Sequence, residues 1–182
     1  MNVVDYKIDP NISIDIKPLF LSAFPEDERP PAEYFFASFE KDTNHLYGFY
    51  DDNEFIGFAS VILYKDICYI FFLAVSPEKR NKGFGSRIIQ ILKELYKDYS
   101  LLLCYEEVNK KYHDYNIRKI REQFYIKNGF KKNPLKTNEF GVVFQTAVLG
   151  HRKVTFEEYK NIFLIGFGEY AAEHIFPVID QK

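Results

Sequence analysis

The chain has 182 residues, 47% of them apolar, with 19 Phe and 14 Tyr; it is long and apolar enough to bury one full core, and intrinsic disorder is excluded. Its 24 basic side chains against 26 acidic ones leave a net charge of −2, too little to recruit nucleic acid or an anionic membrane electrostatically. Cys68 and Cys104 suit neither a disulfide framework nor a zinc site, so no metal is expected. No apolar run reaches membrane-spanning length and Met1–Lys7 has no signal-peptide core, which predicts a cytoplasmic protein.

Val3 to Ile8 predicts a first strand, and Ile16 to Phe24 an amphipathic helix that must end before Pro25. The acidic, proline-stiffened loop from Phe24 to Pro31 follows, with Glu26, Asp27 and Glu28 able to attract an amine cation. Pro30 and Pro31 are placed to open a helix through Glu40. His45 to Tyr50 and Glu54 to Tyr64 predict antiparallel strands joined at Asp51-Asp52-Asn53. Ile67 to Val75 is apolar at every position, as a strand covered on both faces requires.

Beyond a basic, glycine-bearing turn, Ile88, Ile91, Leu92, Leu95 and Tyr99 recur at the period of a buried helix face. Leu101 to Val108 predicts a fifth strand, parallel to the fourth because a helix intervenes; two such strands diverging would open a cleft. A helix over about Asn116 to Asn128 should turn Ile117, Ile120 and Phe124 inward and stop at Gly129, a left-handed cap. Phe130 to Thr137 and Phe140 to Leu149 predict a closing hairpin. Thr155 with Glu158 predicts a capping box opening a helix to about His174. Its stripe of Phe156, Tyr159, Phe163, Phe167 and Tyr170 is expected to pack on the sheet, with a homodimer contact or substrate lid as the alternatives.

The turn itself reads Arg80-Asn81-Lys82-Gly83-Phe84-Gly85-Ser86. Main-chain N–H groups at the start of the following helix, the positive end of its dipole and two basic side chains together favour a pyrophosphate. Gly83 and Gly85 lack the third glycine of a dinucleotide fingerprint, and no Gly-Lys-Ser/Thr follows for a Walker loop. The segment resembles instead the Arg/Gln-x-x-Gly-x-Gly/Ala signature of the GNAT superfamily of acyl-CoA-dependent N-acetyltransferases. Leu73-Ala74-Val75-Ser76-Pro77 is similar to the end of that family's fourth strand, and Phe124-Tyr125-Ile126-Lys127-Asn128-Gly129-Phe130 to its Phe-Tyr-x-x-x-Gly-Phe element, in the family's order and spacing.

The resemblance implies a mixed α/β fold with a central, mostly antiparallel sheet splayed between its fourth and fifth strands, flanked by helices, with an extra C-terminal helix. One domain over 1–182 is expected: a core over 1–150 and a helical extension over 151–182. It further implies an N-acetyltransferase that moves an acetyl group from acetyl-CoA to an unidentified primary amine, a small molecule or a peptide, by direct attack. Arg80, Asn81, Lys82, Gly83, Phe84, Gly85 and Ser86 would hold the pyrophosphate, and main-chain groups of Leu73 and Val75 the pantetheine arm. Tyr125 matches the family tyrosine that protonates or hydrogen-bonds the departing thiolate. The fourth strand carries no acid where part of the family has its base, so Glu106 is the candidate base, with Glu107 or His113 as substitutes. Arg118 stands where relatives often have asparagine; with Lys119 and Arg121 it either reaches coenzyme phosphates or faces water. The missing acid also motivates an alternative, a catalytically silent acyl-CoA sensor or scaffold.

Overall fold

A computed structural model describes residues 1–26, 29–139, 141–176 and 179–181; the expected loop acids Asp27 and Glu28 and the strand start at Phe140 lie outside the described residues. The strands are β1 Asn2–Asp5, β2 Asn44–Asp51, β3 Glu54–Tyr64, β4 Ile67–Val75, β5 Ser100–Glu106, β6 Lys131–Glu139, β7 Val142–Leu149 and β8 Ile179–Gln181. The main helices are α1 Ser13–Ala23, α2 Ala32–Ala37, α3 Phe84–Leu95, α4 Tyr115–Lys127 and α5 Phe156–Phe167. Hydrogen bonding orders the strands β1-β2-β3-β4-β5-β7-β6-β8 in a mostly antiparallel sheet. A parallel pairing joins β4 to β5, as the intervening helix requires, and its register runs from Ile67↔Ser100 to Tyr69↔Leu102.

The residues fall into two compact units. The first comprises 1–63 and 70–95. Its core joins Ile16, Leu19 and Phe20 of α1 and Phe35 of α2 to Leu46, Phe58, Phe72 and Ala74 of the strands. Phe20 stacks on Phe35 with centroids 4.1 Å apart and meets Phe72 edge-on at 5.3 Å; such pairs add about 0.5–1.5 kcal/mol each beyond the area they bury. This core accounts for one apolar face of β4, since Phe72 and Ala74, two residues apart, pack in the same cluster as α1 and α2 side chains.

The second unit comprises 64–69 and 96–182. Within β6, Pro134 cannot donate to the ladder, and the β6–β7 register shifts between Lys132 and Lys136. Side chains of β7 fill the gap: Gln145 Nε2 donates to the Asn133 carbonyl at 2.8 Å and Thr146 Oγ1 to the Leu135 carbonyl at 2.6 Å. Asn133 Nδ2 in turn donates to the Val154 carbonyl at 2.8 Å, tying the approach to α5 onto the sheet. The Thr155–Glu158 capping box is present.

Several elements depart from expectation: β1 ends at Asp5, not Ile8, and the helix expected through Glu40 gives way after Ala37 to a 3₁₀ turn at Ser38–Glu40. Helix α5 ends at Gly168, not near His174, because Gly168 adopts φ 57° and ψ −129°, a region that excludes a side chain; a separate π-helical turn occupies Ala171–Ile175. Helix α4 is rotated relative to its apolar periodicity, leaving Ile117 and Ile120 60% and 67% exposed while Arg118 is buried.

Gly57 on β3 is a close-approach glycine, since a Cβ there would lie 2.2 Å from the Ala74 carbonyl oxygen. Main chain cannot swing aside, so Gly57→Ala should destabilise the fold by about 1–3 kcal/mol in urea unfolding. A change below about 0.5 kcal/mol would show that β3 and β4 separate freely.

Candidate active site

In the first unit, β4 runs into a 3₁₀ turn at Pro77–Lys79 and then into the glycine-bearing segment. Ser76 N–H donates to the Ile56 carbonyl at 2.9 Å, and Arg80 Nε donates back to the Val75 carbonyl at 3.1 Å, so the strand end and the turn are locked together. Asn81 and Gly83 take φ of 61° and 84°, the left-handed values that bend the chain into α3. Arg87 N–H is bonded to the Gly83 carbonyl at 3.2 Å, so the N–H groups of Phe84, Gly85 and Ser86 lie where a helix offers no acceptor of its own. A Cβ built on Gly83 would meet nothing within 4 Å. Open space, orphan donors and the exposed Lys82 form a surface suited to a diphosphate.

In the second unit, Glu106 closes β5 and is gripped by α4: Arg118 Nη2 lies 3.3 Å from Oε1, and Arg121 pairs with Oε2. Both oxygens of the expected base are therefore occupied by guanidinium groups. Arg118 also donates through Nε to Asp114 at 2.8 Å, and its guanidinium sits 4.1 Å from the Tyr112 ring centre. It is an internal clamp, neither solvated nor directed at phosphate. The sequence held a signal for this in the four-residue spacing of Asp114 and Arg118. Glu107 is bound to Lys136 at 2.9 Å, which holds its carboxyl below the usual range.

Tyr125 lies on α4 with its ring against Tyr105, centroids 5.6 Å apart. Burial pushes its hydroxyl up to about 12, with Arg121 opposing and Cys104 and Glu106 reinforcing the rise. Beside it, sequence reasoning missed a polar cluster. Tyr69 hydroxyl is 3.1 Å from Cys104 Sγ and 3.1 Å from Tyr159 hydroxyl, and Tyr159 donates to Glu139 Oε1 at 2.8 Å. Thr137 Oγ1 donates to the same oxygen at 2.6 Å. Tyr159 belongs to the predicted aromatic stripe, which packs inward with Phe163; nothing local marked Glu139, an acid next to a turn. Burial raises the Cys104 thiol to about 12, so it is an inert thiol, not an acyl carrier. Among the described residues no group of His, Cys, Asp and Glu could hold a metal ion, and no helix is long and apolar enough to cross a membrane.

The GNAT acetyltransferase family model matches residues 13–121, which include both the turn and the start of α4. The chain belongs to the GNAT family. Among solved structures it is similar to a GNAT-family acetyltransferase from Bacteroides thetaiotaomicron, at 21% identity over 92% of this chain and 99% of that one, with a TM-score of 0.74. An aminoglycoside 6'-N-acetyltransferase from Enterococcus faecium aligns at 16% identity over 85% and 100% of the two chains, TM-score 0.66. A GNAT acetyltransferase from Elizabethkingia anophelis with acetyl-CoA bound aligns at 18% over 82% and 97%, TM-score 0.60. No curated protein matches the chain. The protein is thus an acyl-CoA-dependent N-acetyltransferase by family, with its acceptor unidentified.

Arg118→Ala should cost about 1–3 kcal/mol in urea unfolding, because Asp114 and one oxygen of Glu106 lose their shared cation while Arg121 still holds the other oxygen. Arg118→Met, which restores bulk without charge, should recover only part of that loss.

Proposed function

We propose that this GNAT transferase uses acetyl-CoA as donor and acetylates a small-molecule primary amine by direct attack on the thioester. The observation that carries the reading is the turn at Asn81–Gly83, whose left-handed backbone, open front and orphan helix donors stand where the family signature has its pyrophosphate site. Similar folds have coenzyme A or acetyl-CoA bound, and others are aminoglycoside acetyltransferases, which supports a small soluble acceptor. The family match draws residues from both compact units, in favour of one catalytic domain. Free cysteines accord with a reducing, cytoplasmic setting.

Arg80 shapes the turn, while Lys82 and the N–H groups of Gly83, Phe84, Gly85 and Ser86 take the diphosphate. Asn81 supplies the bend. Leu73 and Val75 offer main-chain groups to the pantetheine arm; the Val75 carbonyl, already bonded to Arg80, keeps a second lone pair. Tyr125 stays protonated at neutral pH, since its hydroxyl is raised to about 12. A thiol titrates near 8.5, so complete transfer from this phenol to a thiolate is uphill, and Tyr125 acts as a hydrogen-bond donor to the departing sulfur. Glu106 we assign to fixing α4 through its two arginines, not to proton transfer.

Tyr125→Phe should lower kcat by about 10²-fold, the worth of one positioned donor, while acetyl-CoA affinity stays within about twofold; equal loss of both would remove the assignment. Gly83→Glu should abolish acetyl-CoA binding by calorimetry at a cost of only about 1 kcal/mol for the left-handed backbone. A thiol-release screen of small amines and peptides with acetyl-CoA tests the acceptor class. Turnover confined to peptides would overturn it.

A further inference from the structure

The partly buried glutamates of the second unit divide by partner. Glu106 is held by Arg118 and Arg121, Glu107 by Lys136, Glu122 by Lys132 and Glu158 by Arg152. Glu139 differs. Its two donors, Thr137 and Tyr159, are neutral and converge on Oε1; among the described residues no donor is recorded on Oε2 and no Lys or Arg acts on the carboxyl. The residue is nonetheless partly exposed, as is Cys104 beside it. Among the described residues, this desolvated carboxylate is clamped on one oxygen and has no cationic partner.

Its hydrogen-bonded neighbours give it direction. Tyr69 hydroxyl lies 3.1 Å from both Cys104 Sγ and the Tyr159 hydroxyl, Tyr159 hydroxyl also lies 3.4 Å from Cys104 Sγ, and the donors from Tyr159 and Thr137 fill both lone pairs of Oε1. Tyr125 stacks on Tyr105, the residue that follows Cys104 on β5, so the proposed thiolate donor and the cluster share one strand.

We infer that Glu139 receives the acceptor: Oε2 pairs with the substrate's primary ammonium and takes the proton that blocks its lone pair. This rests on the transferase reading above. The ammonium gives one proton to Glu139, which passes it to solvent. The freed nitrogen bonds to the thioester carbon, the carbon–sulfur bond breaks with its electron pair going to sulfur, which the Tyr125 hydroxyl steadies by a hydrogen bond, and the nitrogen's second proton reaches that sulfur through solvent. The sum is ammonium plus acetyl-CoA giving amide, coenzyme A thiol and one proton.

Burial raises the Glu139 carboxyl above the ordinary glutamate range, against the lowering effect of Thr137 and Tyr159. The titratable groups around it are Tyr159 on α5, Cys104 on β5 and Tyr69 on β4, all raised by burial and therefore neutral. Opposite it in register, β7 presents Val142 and β8 presents Ile179; Asp180 follows on β8 and pairs with Asn138. With a folded-state value above the unfolded one, stability falls as pH rises from the ordinary glutamate range through the folded value.

The test uses Glu139→Gln and Glu139→Asp with spermidine, tyramine, kanamycin and glycylglycine as amine probes. Where any of them is acetylated, Glu139→Gln should lower kcat about 10²-fold or more and lose the acid limb of the pH profile, with acetyl-CoA affinity unchanged. Glu139→Asp should keep the limb. The Gln variant should also melt higher than the parent at neutral pH and no differently in acid. A kcat within about threefold of the parent or an intact acid limb would overturn the assignment, the effect required of a proton acceptor being far larger. Independently of turnover, the infrared carboxyl band lost in Glu139→Gln should titrate above the ordinary range and shift with at least one amine; a normal band indifferent to all four overturns it too. Failure of every amine to release thiol while that band responds counts against the small-amine acceptor reading alone.

Discussion

Strand β4 must be covered along its whole length, because no residue from Ile67 to Val75 offers water a charge. Each fully buried Val, Leu, Ile, Phe or Met side chain favours folding by about 1.5–3 kcal/mol, so the strand dictates what is built around it. In the first unit, Phe72 and Ala74 draw in α1 and α2. In the second, Ile67, Cys68 and Tyr69 are each at most 1% exposed and bring the Tyr69 hydroxyl to Cys104 and Tyr159. One apolar strand thereby ends in a phosphate-type turn and begins at a polar cluster.

Charge in the second unit follows the cost of burial. A lone ionised group taken from water shifts its pKa or finds a partner. Arg118 illustrates the second outcome, satisfying Glu106 and Asp114 together while Tyr112 covers its face. Glu139 illustrates the first, its partners among the described residues being the hydroxyls of Thr137 and Tyr159 and its pKa raised. A site that keeps an unpaired acid gives up stability for reactivity, a common trade at functional positions.

The turn before α3 follows a different logic. Beyond the buried Ser76 the turn lies at the surface, and its form comes from backbone dihedrals at Asn81 and Gly83 together with two hydrogen bonds that fasten it to β3 and β4. Anion affinity then arises from donors that helix geometry leaves over, and needs no particular tertiary neighbour.

That difference explains what could be read directly. Strands β3 and β4, helix α3, the capping box at Thr155 and the glycine-bearing turn were legible in the sequence because each depends on local periodicity, local dihedrals or contacts within a few residues. The family signature lies in those same local segments. The rotation of α4 was not legible, since an Arg118 clamp against β5 overrode its apolar period. Nor was the assembly of Tyr69, Cys104, Glu139 and Tyr159, whose members come from four separate elements. The primary structure by itself determined the strand–turn–helix unit and hence the family; only tertiary packing decided which acids are paired and which is left open, because desolvation and long-range hydrogen bonding are properties of residues far apart in the chain.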